Sequence, residues 1–175
     1  PEIKTQQPVS KKNRFLNYSK IAIAAAIVLA VGSIWFFSNS PNKSLYAKNF
    51  KPDPGLPTTM GSSDNFEFYD AMVNYKHGDY KMAIDKWKIL SENNLENDTL
   101  NYFIGVAYLA NKNVAEAIPF LERSVEAEDN FVFLDDAYFY LGLAYLKEDN
   151  IELAKKHLNL SNTDKGKAII SELTD

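Results

Sequence analysis

The sequence predicts an all-α protein: an α-solenoid of three helix pairs plus a C-terminal capping helix, preceded by one N-terminal transmembrane helix. Three observations carry the solenoid. From Asn65 onward the apolar residues fall at helical rather than alternating spacing. Short breaks holding Gly, Asn or Asp cut that stretch into helix-length pieces, each break short enough to join antiparallel neighbours. One pattern then occurs three times, as FYDAMVNYKHGDYKMAIDKW from Phe68, YFIGVAYLANKNVAEAIPFL from Tyr102 and FYLGLAYLKEDNIELAKKHL from Phe139.

The N-terminal helix rests on Ile21 to Phe37, 17 residues without a charge, which is the lower limit for crossing a hydrocarbon layer ~30 Å thick. Tyr18, Lys20 and Trp35 suit the two interfaces. The net charge of −4 is unevenly spread: residues 1–40 carry five cations against one acid, and the remainder carries 14 cations against 22 acids. Cations flank the apolar run only on its N-terminal side, so residues 1–20 are expected to be a basic cytoplasmic tail and the acidic part to lie outside, in the periplasm where there is an outer membrane. Cleavage as a signal peptide is disfavoured, because Pro41 follows the small residues Ser38-Asn39-Ser40. A buried core helix this apolar would need a larger surrounding fold. Cysteine is absent, which removes disulfides, a catalytic thiol and Cys-based zinc sites. The folded part is acidic, so nucleic-acid binding is not expected.

Residues 38–63 hold Pro41, Pro52, Pro54, Pro57, Gly55 and Gly61. That density predicts an extended, polyproline-like linker without a helix. Two roles stay open. The segment is a stalk, reaching at most ~90 Å, or it lies along its own domain's groove through Tyr46, Phe50, Leu56 and Met60.

The helices are expected near 64–76, 80–92, 99–110, 114–127, 133–147, 151–160 and 164–173. Asp79, Asn113 and Asp149 or Asn150 are candidate N-caps. The spacing from Ala71 to Ala83, Gly105 to Ala117 and Gly142 to Ala154 is always 12, and the alanines recur after 34 and then 37 residues. Glycine costs ~1 kcal/mol in a helix interior, so its recurrence calls for a packing reason. Pro119 is expected to bend the fourth helix slightly. The last segment places Ala168, Ile169 and Leu173 on one side, as a cap sealing the stack.

This pattern resembles the tetratricopeptide repeat (TPR), whose period is 34 residues. Ile104, Gly105, Tyr108, Ala117 and Leu121 match it in the middle repeat, Leu141, Gly142, Tyr145, Ala154 and Leu158 in the last, and Ala71, Ala83 and Trp87 in the first. The first repeat departs from it at Asp70 and Asn74, and three extra residues lie between repeats two and three. Repeats are expected at about 64–97, 98–131 and 132–163, with the capping helix at 164–173 and the whole TPR domain at 64–175. The layout is also similar to that of membrane-anchored TPR proteins of Bacteroidetes-type bacteria.

The resemblance implies a concave groove lined by the first helix of each pair. Carried over position by position, that groove comprises Phe68, Met72, Tyr75 and Lys76, then Tyr102, Val106 and Leu109, then Phe139, Leu143, Leu146 and Lys147. With the core stripe placed on Ile104, Tyr108, Leu141 and Tyr145, the groove set is expected to be extra apolar surface awaiting a protein or peptide partner. Lys, Arg and Asn are too sparse in it for clamping a terminal carboxylate. No enzyme motif, cofactor site, metal site or small-molecule substrate is expected, and His77 and His157 read as surface residues. The expected function is a membrane-anchored scaffold or adaptor, inserted in the inner membrane through residues 21–37 and serving as an accessory subunit of a cell-envelope complex. The alternatives are a signalling partner in a sigma-factor-type system and a self-associating structural protein.

Overall fold

The computed structural model describes residues 22, 23, 25–29, 40–58, 65–92, 97–126 and 130–174. The chain divides into two units, Pro1–Asn39 and Ser40–Asp175. In the first, residues 22, 23 and 25–29 are helical and exposed, Ile23, Ile27, Val28 and Leu29 among them. The basic tail and most of the expected span 21–37 lie outside the described residues, and among the described residues no helix is long and apolar enough to cross a membrane.

In the second unit every described regular element is a helix. The first, α1 (Pro41–Asn49), corrects the expectation that the proline-rich segment is wholly extended. Its single proline occupies the first helical turn, where no intrahelical N–H is needed and the fixed φ is already helical. Ser40 caps it by accepting from the Lys43 N–H at 3.2 Å. Pro52 stops any continuation, since a residue before proline is steered away from helical φ/ψ, and the chain is extended from Phe50.

Seven helices follow: α2 (Phe66–Lys76), α3 (Tyr80–Glu92), α4 (Asp98–Ala110), α5 (Val114–Val125), α6 (Leu134–Lys147), α7 (Ile151–Leu160) and α8 (Asp164–Glu172). They pair as α2 with α3, α4 with α5 and α6 with α7. Each pair then packs on the next, and α8 closes against α7. Each pair turns in the same way. Gly78, Lys112 and Asp149 take positive φ (84°, 65° and 59°) at equivalent positions. The next N–H reaches back to the helix, from Asp79 to Asn74, Asn113 to Tyr108 and Asn150 to Tyr145. This is a Schellman-type stop, which satisfies carbonyls that a helix end leaves free. Of the candidate N-caps, Asn150 accepts from the Leu153 N–H, whereas Asn113 makes no side-chain capping bond.

The recurring glycines have a steric cause. A Cβ on Gly105 would sit 2.6 Å from Leu121 Cγ, and one on Gly142 2.7 Å from Leu158 Cγ. In the first pair Ala71 and Trp87 occupy the corresponding places. Trp87 is fully buried and its indole N–H donates to the Phe68 carbonyl at 3.1 Å. The first pair's departures from the pattern also form a unit, because the Lys86 ammonium donates to Asp70 at 2.5 Å and to Asn74 at 2.7 Å. α5 runs unbroken through Pro119. In α8, Gly166 and Ile169 face inward, with Ile170 and Leu173 partly covered, while Ala168 is exposed.

His157 is not a surface residue. It is buried between the rings of Tyr138 and Tyr145, at centroid distances of 6.0 and 5.5 Å. Burial first, then the Lys156 charge, lowers its pKa from the ordinary imidazole value, against an opposing pull from Glu122. The unfolded chain therefore takes up this proton before the folded one does. The stabilisation is complete above the unfolded value of ~6.5 and is lost as pH falls through it towards the lower folded value. The Tm should fall between pH 7.5 and 5.5, and less steeply in His157→Phe; parallel curves for the two chains would refute this linkage.

Candidate functional site

Residues 50–58, FKPDPGLPT, contain three prolines, so the segment offers few N–H donors and many carbonyls. The first helices of the three pairs supply donors to it. Tyr140 on α6 donates to the Lys51 carbonyl at 2.8 Å. Tyr102 on α4 donates to the Asp53 carboxylate at 2.9 Å, and Tyr75 on α2 to the Asp53 carbonyl at 2.7 Å. Farther along α2, Lys76 donates to the Leu56 carbonyl at 3.4 Å. The segment thus meets α6, then α4, then α2, opposite to the order of the repeats. It is a strap across the face that the first helices share.

α1 fixes one end of the strap. Ser40 Oγ and Asn42 Nδ2 donate to Asp149 at 2.8 and 2.9 Å, and Lys48 pairs with Glu172 on α8 at 2.9 Å. Tyr46 is buried, stacks on Phe50 and lies 5.0 Å under the Lys147 ammonium; Phe50 in turn meets the edge of Tyr140. Asp53 and Gly55 form the centre. Asp53 Oδ1 accepts from the Gly55 N–H at 2.7 Å, which closes a tight turn and leaves the other carboxylate oxygen for Tyr102. Gly55 has φ of 77°, and a Cβ there would lie 2.8 Å from Met72 Sδ. Glycine is favoured both by the backbone and by the approach to the Met72 side chain.

The electrostatics keep this site in a donor state. The phenols of Tyr75, Tyr102 and Tyr140 are held above their usual pKa, by burial first and by the Asp53 charge second. They remain protonated hydroxyls over the physiological range. Asp136 is also raised, by burial and then by Asp53 and Asp135, with Lys165 opposing.

The predicted groove residues are found on these helices, but they are not open surface. Met72, Tyr102, Val106, Leu143 and Leu146 are fully buried, and Tyr75, Leu109 and Phe139 nearly so. Met72, Tyr75 and Tyr102 lie directly against the strap. Phe68 is half-buried and packs on Trp87 and Phe103 instead of facing an open groove. Of the two linker roles left open, contact with the domain's own groove is the one present, through Tyr46, Phe50 and Leu56; Met60 lies outside the described residues. The repeat-packing residues Ala71, Ala83, Trp87, Ala117, Leu121, Ala154 and Leu158 are buried, as are Ile104 and Leu141, and Tyr145 is nearly so. Tyr108, assigned to the same stripe, is only half-buried, against Phe120.

Sequence reasoning missed Asp53, Tyr140 and Phe133. Asp53, between two prolines and before a glycine, carried a turn signal and nothing more. Phe133 immediately precedes α6, and its ring stacks on Tyr102 at 4.9 Å with an interplanar angle of 10°. It thus helps cover the central tyrosine. Tyr102→Phe removes one buried bond to a charged acceptor, and such bonds contribute about 1.5–3 kcal/mol. Because Asp53 is only partly covered and can turn to water, the expected loss is at the lower end, read as a shift of the denaturation midpoint. No shift would show that the bond adds nothing.

Residues 99–131, which hold α5 and all but the first residue of α4, match the tetratricopeptide repeat family. No curated protein matches the chain. Tetratricopeptide repeats bind protein partners and are typically non-catalytic, so the match suggests a protein–protein interaction scaffold.

Proposed function

We propose that the chain is a membrane-anchored scaffold whose repeat domain, residues 64–175, docks a protein partner of a cell-envelope complex on the concave face formed by α2, α4 and α6. Residues 21–37 hold it in the inner membrane, residues 1–20 are cytoplasmic and the repeats are extracytoplasmic. One observation carries the docking reading: the face shared by α2, α4 and α6 holds an extended segment through hydroxyl donors aimed at two backbone carbonyls and a carboxylate, a geometry that suits an extended peptide. The anchor is supported by the exposed apolar helix containing Ile23, Ile27, Val28 and Leu29, since side chains of this kind in water are unfavourable by ~25 cal/mol per Å².

The test is copurification from detergent-solubilised membranes. The full chain should bring down an envelope protein, and Tyr75→Phe with Tyr102→Phe should weaken that capture severalfold. Unchanged capture would move the partner to another face. Protease protection of tagged ends checks the orientation; an accessible C-terminal tag on the cytoplasmic side would overturn it.

A further inference from the structure

We propose that the concave face recognises an extended segment of the form aromatic–x–Pro–Asp–Pro–Gly, that residues 50–55 occupy this site in cis, and that a protein partner carrying the same chemistry takes their place. The inference rests on the scaffold reading of the repeats, not on the membrane anchor.

The strap is held as a ligand is held. In every hydrogen bond between strap and repeats, Lys51, Asp53 or Leu56 accepts and Tyr140, Tyr75, Tyr102 or Lys76 donates. The Gly55 N–H of the central turn is satisfied within the strap. No residue from 50 to 58 is buried: Phe50, Asp53, Gly55 and Leu56 are half-covered and the others exposed. The receptor side is the reverse, since Tyr75 and Tyr102 are buried and their hydroxyls lose their acceptors if the strap leaves. Water would reach those hydroxyls in the strap's place, and another chain offering a carbonyl and a carboxylate at the same spacing would restore the direct bonds.

Three requirements define that chain. The turn against Met72 favours glycine, because of its φ and the 2.8 Å approach to the Met72 sulfur. The acceptor for Tyr102 must be acidic or at least an oxygen acceptor, since a lysine there would face a donor. An aromatic ring three residues before the acid must fill the place of Phe50 against Tyr140. The tether sets the affinity such a chain needs, because a covalently linked ligand competes at a high effective concentration. Weakening the strap should therefore raise affinity for the same segment supplied in trans.

The probe is a fluorescent peptide of residues 46–57, titrated with the full chain in detergent and read by anisotropy. Asp53→Ala in the chain should bind the wild-type peptide at least tenfold more tightly than the unaltered chain does. A peptide carrying Asp53→Ala should bind at least tenfold more weakly, and adding Tyr102→Phe to the Asp53→Ala chain should remove the gain. Asp53→Asn, which keeps an oxygen acceptor, serves as the milder chain variant. Equal peptide affinity of the wild-type and both variant chains, with helical circular dichroism unchanged, overturns the proposal. Loss of helical signal in both variants also overturns it, because the strap would then be core and not ligand. A strap-exchanged dimer that excess peptide does not dissociate overturns it too, by making a second copy the occupant. Peptide binding needs no envelope protein: a chain that takes the peptide but copurifies with nothing sinks the envelope role alone, and the converse sinks this inference alone.

Discussion

Trp87→Ala is expected to destabilise the repeat domain by about 3–5 kcal/mol, the range for removing a large aromatic from a closed core. Trp87 has no exposed surface. It lies within ring contact of Phe68, Tyr75 and Phe103, at centroid distances of 5.7, 5.7 and 5.9 Å. Leu121 and Leu158 hold the corresponding place in the other pairs, against Gly105 and Gly142. The first pair uses a larger side chain there, so its truncation leaves a larger void. It also strips the Phe68 carbonyl of the indole donor. Domains of this size are stable by about 5–15 kcal/mol, so a large share of the total is at risk. Urea denaturation of the full chain in detergent reads the loss directly. Trp87→Phe should recover most of it by keeping the ring contacts, and a cost below ~1 kcal/mol for Trp87→Ala would show that the site collapses onto its neighbours.

Gly105→Ala and Gly142→Ala should each destabilise by about 1–3 kcal/mol, against the usual gain of ~1 kcal/mol when alanine replaces glycine within a helix. The sign reverses because the added Cβ enters the partner helix. The two sites should differ when the opposing leucine is shortened. At Gly105 the close atoms are Leu121 Cγ and Cδ2 at 2.6 and 2.8 Å, with the Leu121 backbone N farther off at 3.3 Å. At Gly142 the Leu158 backbone N itself is at 3.0 Å. In a double-mutant cycle Leu121→Ala should therefore cancel most of the Gly105→Ala cost, whereas Leu158→Ala should cancel less of that at Gly142. Simple additivity of Gly105→Ala and Leu121→Ala would mean that the clash is not with this leucine.

The two substitutions test what was legible in the sequence. Seven helices from Phe66 to Glu172, their pairing and their small-against-large contacts are all encoded locally. Helical periodicity shows which side of each segment is apolar, Gly, Asn and Asp mark the turns, and a spacing of 12 repeated three times fixes the register. Asp70 and Asn74 looked like defects in that pattern, and only the folded pair shows them sharing Lys86, 16 and 12 residues away. His157 differs from its surface reading for a similar reason: its immediate sequence is lysine-rich, while its environment is two tyrosine rings brought from α6.

By itself, then, the sequence determined the repeat stack and named the helices that share the face crossed by the strap. What fills that face was decided by tertiary structure. Residues 40–58 have no sustained period that would orient them, and a helix as short as α1 is marginal without a surface to dock on. Asp53 becomes an acceptor for two phenols only when Tyr75 and Tyr102, 22 and 49 residues away, converge on it. Periodicity reports which side of a segment is apolar, and it holds no record of which distant surface that side will meet. An apolar groove read from the repeats is therefore, in the folded chain, a row of protonated tyrosines already holding a peptide.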